Sequence, residues 1–340
     1  MSGVRRPTLE MVATRAGVGR GTVSRVINGS DQVSPATREA VRDAIAELGY
    51  VPNHAARTLV TRRTDTVALV VPEPNDRLFA QPFFAHIVRG VSATLNERDL
   101  QLLLTTVRSP DEYGRLGDYL TAHHVDGVLL VSLHADDPLP DRLAEAGVPC
   151  VIGGRPSWQT HHPIHYVDID NVGGARTATR RLVETGRHCI ATVAGPPDMV
   201  AGEDRLEGYL KAMRESGLPT PPTQIVRGDF SYESGDAAMR GLLESAPDLD
   251  AVFVASDPMA LAAMRVLRGS GRRIPEDVAV IGYDNSSFAS HSDPPLSSVH
   301  QPTERMGGEM ARILADVAIP GEADFSEQVL DTHLVIRESG

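Results

Sequence analysis

Tryptophan occurs once and cysteine twice in the 340 residues, and aromatic side chains make up only 4% of the chain. Cys150 and Cys189 stand singly in the apolar runs "VPCVIGG" and "HCIATVAG", with neither a CxxC pair nor metal-ligand spacing. That excludes a disulfide scaffold and a thiolate metal site, and reads as two reduced core thiols of a cytoplasmic protein. No apolar run approaches membrane-spanning length, and no N-terminal stretch has the charged start, apolar centre and small-residue cleavage site of a signal peptide. An exported or membrane-inserted chain is therefore not expected. Also missing are a GxSxG elbow, an HExxH pair, a P-loop and a paired-carboxylate site, so neither an enzyme nor a bound cofactor is expected.

Basic residues are scarce as well, 33 Lys and Arg against 45 Asp and Glu, for a net charge of −12. The deficit is uneven. Residues 1–63 hold ten Arg and five acids, a net +5, which leaves −17 for the remainder. A basic head on an acidic body points to a separate module for a polyanion. With 41% hydrophobic residues there is apolar material for two or three cores.

Within the head, Thr8 is placed to cap a first helix whose Leu9, Val12, Ala13 and Ala16 form one apolar stripe, ending at Gly17. A second helix is expected over Thr22 to Asn28, with Val23, Val26 and Ile27 inward and Thr22, Ser24, Arg25 and Asn28 outward. A third starts at the Ser34 cap with Pro35 in its first position, turns Val41, Ile45 and Leu48 inward and stops at Gly49. Two helices joined by a tight turn and braced by a third make a helix-turn-helix.

The glycines of "GVGRGTVSRVING" (17–29) raise a rival reading, a dinucleotide loop. That fingerprint needs GxGxxG directly after a strand, whereas Gly17, Gly19 and Gly21 are spaced GxGxG and follow a helical pattern. Glycine is expected to serve the turn here, with Arg20 at the mouth of the next helix. Thr22 and Asn28 could otherwise be helix caps, and Ser24 and Arg25 a solvated face.

The stretch "TLEMVATRAGVGRGTVSRVINGSDQVSPATREAVRDAIAELGYVPNHAARTL" closely resembles the DNA-binding head of the LacI/GalR transcriptional repressors. The similarity continues through "RLEGY", "VFVASDPMALAAMRVL", "RIPEDVAVIGYDN" and "PPLSSVHQP" and so spans nearly the whole chain. Segments such as "HVDGVLLVSLHADDPLP" are similar to those of the cellobiose-responsive members in actinobacteria. The resemblance implies a small all-α helix-turn-helix head joined by a hinge helix to an α/β two-lobed periplasmic-binding-protein-like effector domain. The segments would be a DNA-binding domain over 1–52, a hinge over 53–63 and an effector and dimerisation domain over 64–340. Its N-lobe would take about 64–167 and 298–324, and its C-lobe about 168–297 and 325–340.

The same resemblance implies a homodimer on pseudo-palindromic operator DNA, with Thr8, Gly19, Arg20, Gly21, Thr22, Ser24, Arg25 and Asn28 on the duplex. Arg20 and Gly21 would occupy the base-reading positions, where Gly21 has no side chain to read with. In the hinge, Asn53, Ala56, Arg57 and Leu59 would meet DNA, Leu59 wedging into the minor groove. Leu59 could instead cover the head's core, and Arg57, Arg62 and Arg63 merely keep a linker soluble.

From Thr64 on, the apolar runs 67–71, 100–106, 127–131, 149–153, 190–195, 251–256 and 278–283 alternate with amphipathic helical stretches. They read as buried parallel strands in two doubly wound lobes, with crossings expected near 165–170, 290–300 and 322–328. Ligands of such sheets bind beyond the carboxyl ends of the strands, which puts the effector in the cleft.

By the family pattern, Asp284 and Arg205 would bind sugar hydroxyls, Phe230 would be an aromatic wall, and Phe83 and Phe84 would open the first lobe's first helix. Phe79, Glu73, Arg155, Ser256 and Gln301 are further candidates on the same rim. Ser256 stands where many members have Asn. Each aromatic could equally be core. Trp158 could stack on a second ring, or take a surface or interlobe role. His161, His162 and His165 share a proline-containing loop without a nearby Cys, so no metal is expected. The sequence thus reads as a sugar-responsive repressor, released from DNA by cellobiose or a related β-glucoside. The alternatives are another oligosaccharide effector, or a sugar-binding protein with no DNA role.

Overall fold

The computed structural model describes residues 7–27, 30–50, 63–73, 78, 81–107, 109–157, 161–321 and 325–340. Expectations for Asn28, Asn53, Ala56, Arg57, Leu59, Arg62, Phe79 and Trp158 lie outside the described residues. The chain separates into two compact units, residues 1–64 and 65–340.

The first unit contains helices α1 (Leu9–Ala16), α2 (Arg20–Ile27) and α3 (Pro35–Leu48). Thr8 caps α1 by accepting from the Met11 N–H, and Ser34 caps α3 by accepting from Thr37. Gly17 and Gly49 close those helices at φ +67° and +60°, where a side chain would be strained. Val12, Val23 and Val41 meet at zero exposure, each contributing about 1.5–3 kcal/mol of burial. All the fully covered side chains of this core are Val or Ala. Helix α2 starts at Arg20, two residues before the expected start, so Thr22 lies inside the helix and is not its cap. The Gly19 carbonyl accepts from both Thr22 and Val23, which lets the helix begin without a side-chain cap.

The second unit has two six-stranded sheets. In the first run β1 (Thr66–Val71), β2 (Gln101–Thr106), β3 (Gly127–Val131), β4 (Cys150–Gly153), β5 (His165–Ile169) and β11 (Glu327–Leu330), in the order β11-β5-β4-β3-β1-β2. All its pairings are parallel. The second holds β6 (Ile190–Ala194), β7 (Ile225–Arg227), β8 (Ala251–Val254), β9 (Ala279–Asp284), β10 (Ser297–His300) and β12 (His333–Val335), ordered β12-β10-β9-β8-β6-β7. Only its β10–β12 pair is antiparallel.

The central strands are fully buried and mostly apolar, GVLLV, IATVA and AVFV in β3, β6 and β8, because helices cover both faces of each sheet. In the first lobe these include α4 (Pro82–Asn96), α5 (Pro110–Thr121), α6 (Leu139–Glu145) and α12 (Thr303–Ile313). In the second they include α7 (Asn171–Glu184), α8 (Val200–Glu215), α9 (Tyr232–Ser245), α10 (Asp257–Gly269) and the short α11 (Ser287–His291). Helices α4 and α12 touch backbone to backbone: a Cβ on Gly90 would lie 1.9 Å from the Glu304 carbonyl oxygen.

The chain passes between lobes at Asp170, at Gln301–Pro302 and at Asp331–Thr332. The lobe limits therefore differ from the expected ones. Strand β10 stays with the second sheet through its pairing to β9, and β11 belongs to the first sheet through its pairing to β5, with Leu330 buried in that lobe's core. The crossings are tied together, since the Asp170 N–H donates to the Leu330 carbonyl at 2.9 Å. Among the described residues, no helix is long and apolar enough to cross a membrane.

Candidate functional site

In the head, burial of Val23 and Val26 turns the opposite side of α2 outward. Arg20, Gly21 and Arg25 are exposed, and Thr22 and Ser24 are half-buried. Gly19 is exposed at the start of this helix, and Thr8 is exposed at the start of α1. Arg20 is held by Glu10, with Nη1 3.0 Å from Oε1. Main-chain hydrogen bonding, the Thr8 hydroxyl and Arg20 together hold the Glu10 carboxyl below its ordinary pKa. Of the three turn glycines, only Gly17 has positive φ; Gly19 and Gly21 have ordinary φ and open space around them. The turn therefore requires glycine at one position, while the other two leave that surface without side chains.

In the second unit, a cavity of about 1190 Å³, counting its open mouth, lies between the carboxyl ends of the two sheets. Glu73, Phe83, Phe84, Arg155, Arg205, Phe230, Ser256, Asp284 and Gln301 all line it. At its floor the buried Arg205 donates from Nε to Asn171 Oδ1 at 2.9 Å, from Nη1 to the Ala255 carbonyl at 2.7 Å and from Nη2 to Gln301 Oε1 at 3.3 Å. Its guanidinium lies over the Tyr283 ring, 3.8 Å from the centroid, and 5.4 Å from the centre of Phe230. Stacking and a fork of hydrogen bonds fix this group in one pose.

Gln301 passes the network on, donating from Nε2 to Asp284 Oδ1 at 2.5 Å. Gln301 is itself a crossing residue, so the floor of the cavity is coupled to the path of the chain between lobes. Asp284 (φ +116°) and Phe230 (φ +70°) are both held in backbone conformations unfavourable to side chains. Such strain, with both residues facing one cavity, marks a site whose geometry the surrounding fold enforces.

Burial pushes the Asp284 carboxyl above its usual pKa, and Arg205 opposes that shift. Burial, with Asp284 alongside, also pushes up Asp257, which accepts from the Ser298 hydroxyl and the Ser286 N–H, each at 2.6 Å. The Ser256 hydroxyl is occupied at the start of α10, where it accepts from Met259 N–H and donates to the Phe230 carbonyl.

The first-lobe wall is built differently. Phe83 and Phe84 meet edge to face at 5.1 Å; Phe84 is buried in that lobe's core and Phe83 is half-buried beside it. The buried Glu73 accepts from Ser132 Oγ at 2.8 Å. His134, 3.9 Å from Glu73, reaches across the cleft to Asp198 at 2.6 Å, and the neighbouring Ala135 N–H donates to the Asp198 carbonyl at 2.7 Å. Arg155 pairs with Asp168 of its own lobe at 3.1 Å and with Asp204 of the second lobe. Burial raises the Asp168 pKa to about 6, against the pull of Arg155.

Sequence reasoning did not single out Asn171, Asp168, Asp257, His134 or Ser286. Asp168 and Asn171 stand in "DIDN" at a crossing, and Asp257 follows Ser256, so adjacency to known strand ends was the available signal. Ser286 Oγ is buried on the cavity wall without a hydrogen-bond partner. His161, His162 and His165 do not converge: His165 packs on Phe325 and accepts from the Ser326 N–H. Among the described residues no group of three potential metal ligands occurs.

The cavity offers a forked guanidinium, two amides, carboxylates and hydroxyls on one side, with Phe83, Phe230 and Met199 supplying apolar faces. That mixture suits a polyhydroxylated ring with an apolar C–H face.

Two family models match the chain: "Bacterial regulatory proteins, lacI family" over residues 8–53, and "Periplasmic binding protein-like domain" over residues 179–340. The chain is 65% identical over 336 residues to the HTH-type transcriptional regulator CelR of Thermobifida fusca, with 99% of each protein covered. Among solved structures, a transcriptional regulator CelR–cellobiose complex is similar with a TM-score of 0.80 and 63% identity, covering 98% of this chain and all of that one. A lac repressor dimer bound to operator and the anti-inducer ONPF is similar with a TM-score of 0.86 and 30% identity, covering 98% and 99%.

Proposed function

Because the chain belongs to the lacI family of bacterial regulatory proteins, we propose that it is a homodimeric repressor whose operator binding is relieved by cellobiose or a closely related β-glucoside. The observation that carries the effector half is the Arg205–Gln301–Asp284 network, because it joins groups fit for sugar hydroxyls to a segment that passes between the lobes. Phe83 and Phe230 supply the ring faces, and Glu73, Arg155, Ser256 and Phe84 complete the walls. The disaccharide is inferred from the 65% identical CelR and from the CelR–cellobiose complex.

In the head, Arg20, Thr22, Ser24 and Arg25 face the operator, Arg20 with two donors suited to a guanine edge in the major groove. Asn28 is assigned to the same operator contact, and Asn53, Ala56, Arg57 and Leu59 to contacts through the segment 53–63. The protein works in the cytoplasm on DNA and needs no catalytic step. Its two heads read half-sites related by the symmetry of the dimer.

The effector can act only by binding the DNA-competent and DNA-released states unequally. A ligand that ties Arg205 and Asp284 to the first-lobe wall favours one spacing of the lobes and therefore one course of the crossings. Titrating cellobiose into the full-length protein on promoter DNA should release the DNA, with glucose and maltose far less effective. Release by another sugar, with none by cellobiose, would sink the effector assignment. Deleting residues 1–63 should abolish DNA binding and leave sugar binding intact.

A further inference from the structure

Beside this cavity the cleft continues into a second, more open hollow, the outer chamber. It is lined by Arg155, Pro156, Pro197, Val200, Asp204 and Arg227, with Glu203 pairing to Arg227 at 2.6 Å. Among the described residues only Arg155 and Val200 line both chambers. Arg155 follows β4 of the first lobe, Asp168 lies on β5 beside it, and Asp204 comes from α8 of the second lobe. One guanidinium is thus shared by carboxylates of both lobes, where the two chambers meet.

From this the geometry points to Arg155 as a length gate: its bridge to Asp204 partitions the cleft, limits the effector to what the inner chamber encloses, and discriminates against longer β-glucosides. The inference rests on the β-glucoside reading of the inner chamber and adds a selection rule to it.

The chemistry favours a partition that holds. The Asp168 and Asp204 side chains are only 6% and 16% exposed, so burial disfavours both charges, and Arg155 is the cation paired with both, alongside a main-chain hydrogen bond to Asp168 and the nearby Arg205 for Asp204. A chain extending outward from the inner chamber has to displace that guanidinium. Doing so leaves two largely covered carboxylates without their ion-pair partner, a cost that the hydrogen bonds of a neutral sugar hydroxyl offset only in part. The outer chamber has the faces of a ring site, two prolines and a valine between ion pairs. A longer chain is therefore penalised by the gate rather than by lack of space beyond it.

The test is calorimetric titration of the full chain with cellobiose, cellotriose and cellotetraose, on the unsubstituted protein, on Arg155→Ala and on Asp204→Asn. Asp204→Asn keeps shape and leaves Arg155 paired to Asp168, so it separates loss of the bridge from loss of the arginine. In the unsubstituted protein the disaccharide should bind at least tenfold tighter than the trisaccharide. In both variants that ratio should fall below about threefold, whatever happens to the disaccharide affinity itself. Thermal melts would verify that both variants fold. A trisaccharide equal to the disaccharide on the unsubstituted protein, or a tenfold ratio surviving in both variants, would overturn the gate while leaving the effector assignment standing. Absence of binding by every β-glucoside would instead overturn the effector assignment, and the gate with it.

Discussion

The main-chain N–H of Asp257 donates to the carboxylate of Asp284 at 3.2 Å, bringing two acidic side chains together on the second-lobe floor of the cleft. Burial raises the pKa of both, so the folded chain holds these protons more tightly than the unfolded one. For a group shifted in that direction, stability falls as pH rises from the ordinary carboxylate range through the folded-state value. Exposed acids held low by arginine, such as Asp277 beside Arg273 at about 2, act in the opposite sense at still lower pH.

Thermal stability should therefore be greater near pH 5.5 than near pH 8. Asp257→Asn keeps an acceptor for the Ser286 N–H and can donate to the Ser298 hydroxyl, while removing the charge beside Asp284. At pH 8 it should stabilise the fold by on the order of 1 kcal/mol and flatten the pH dependence between 5.5 and 8. Melts across that range check this; an unchanged slope would mean that the pair does not govern it.

Arg205 makes three hydrogen bonds that a point-charge ammonium cannot reproduce in the same plane. Arg205→Lys should weaken sugar binding more than tenfold while the protein still folds. Arg205→Ala should also destabilise the fold by about 2–4 kcal/mol, because Asn171, the Ala255 carbonyl and Gln301 lose their donor. Calorimetric titration together with chemical denaturation separates the two effects.

Gly90 and Gly114 are both helical glycines, in α4 and α5, with opposite surroundings. A Cβ at Gly90 meets the backbone of α12, whereas one at Gly114 meets nothing within 4 Å. Gly90→Ala should force α4 and α12 apart and cost about 2 kcal/mol or more. Gly114→Ala should gain about 0.5–1 kcal/mol through helix propensity. Denaturation midpoints that ranked the two variants in the reverse order would refute the close contact of these helices.

These particulars show which features can be read without coordinates. The caps at Thr8 and Ser34 and the stops at Gly17 and Gly49 are local chemistry, legible in a few residues. The start of α2 is not, because Gly19 presents only its carbonyl. The runs at β1, β3 and β8 announce themselves because helices bury both faces. "HYVDI", "SSVH", "EQVL" and "HLV" carry polar residues, since these strands lie near the crossings and supply groups to the cleft or to the sheet edges. The lobe limits were misplaced at those same strands. Arg205, Asp284 and Gln301 could be picked out by resemblance, but their partners Asn171 and Asp257 come from two further segments that only the folded sheets bring to them.

The head supports a prediction about how two arginines divide their work. Arg20 stands at the start of α2, 70% exposed at its side chain and oriented by Glu10, whereas Arg25 is exposed one turn later on the same helix. On the proposed reading, Arg20 enters the groove and Arg25 meets phosphate. Arg20→Ala should then cost about 1–3 kcal/mol on the preferred operator and much less on an operator altered at the one base pair it reads. Arg25→Ala should weaken all sequences alike and reduce the slope of log affinity against log salt by about one. Glu10→Gln removes the charge of an exposed pair while its amide oxygen can still accept from Thr8 and the main chain, so stability should be nearly unchanged. Its effect on DNA therefore isolates the orienting of Arg20: operator discrimination should relax while the salt slope stays unchanged. Fluorescence anisotropy on matched and altered operators at several salt concentrations measures all three variants, and identical sequence dependence for Arg20→Ala and Arg25→Ala would refute this division.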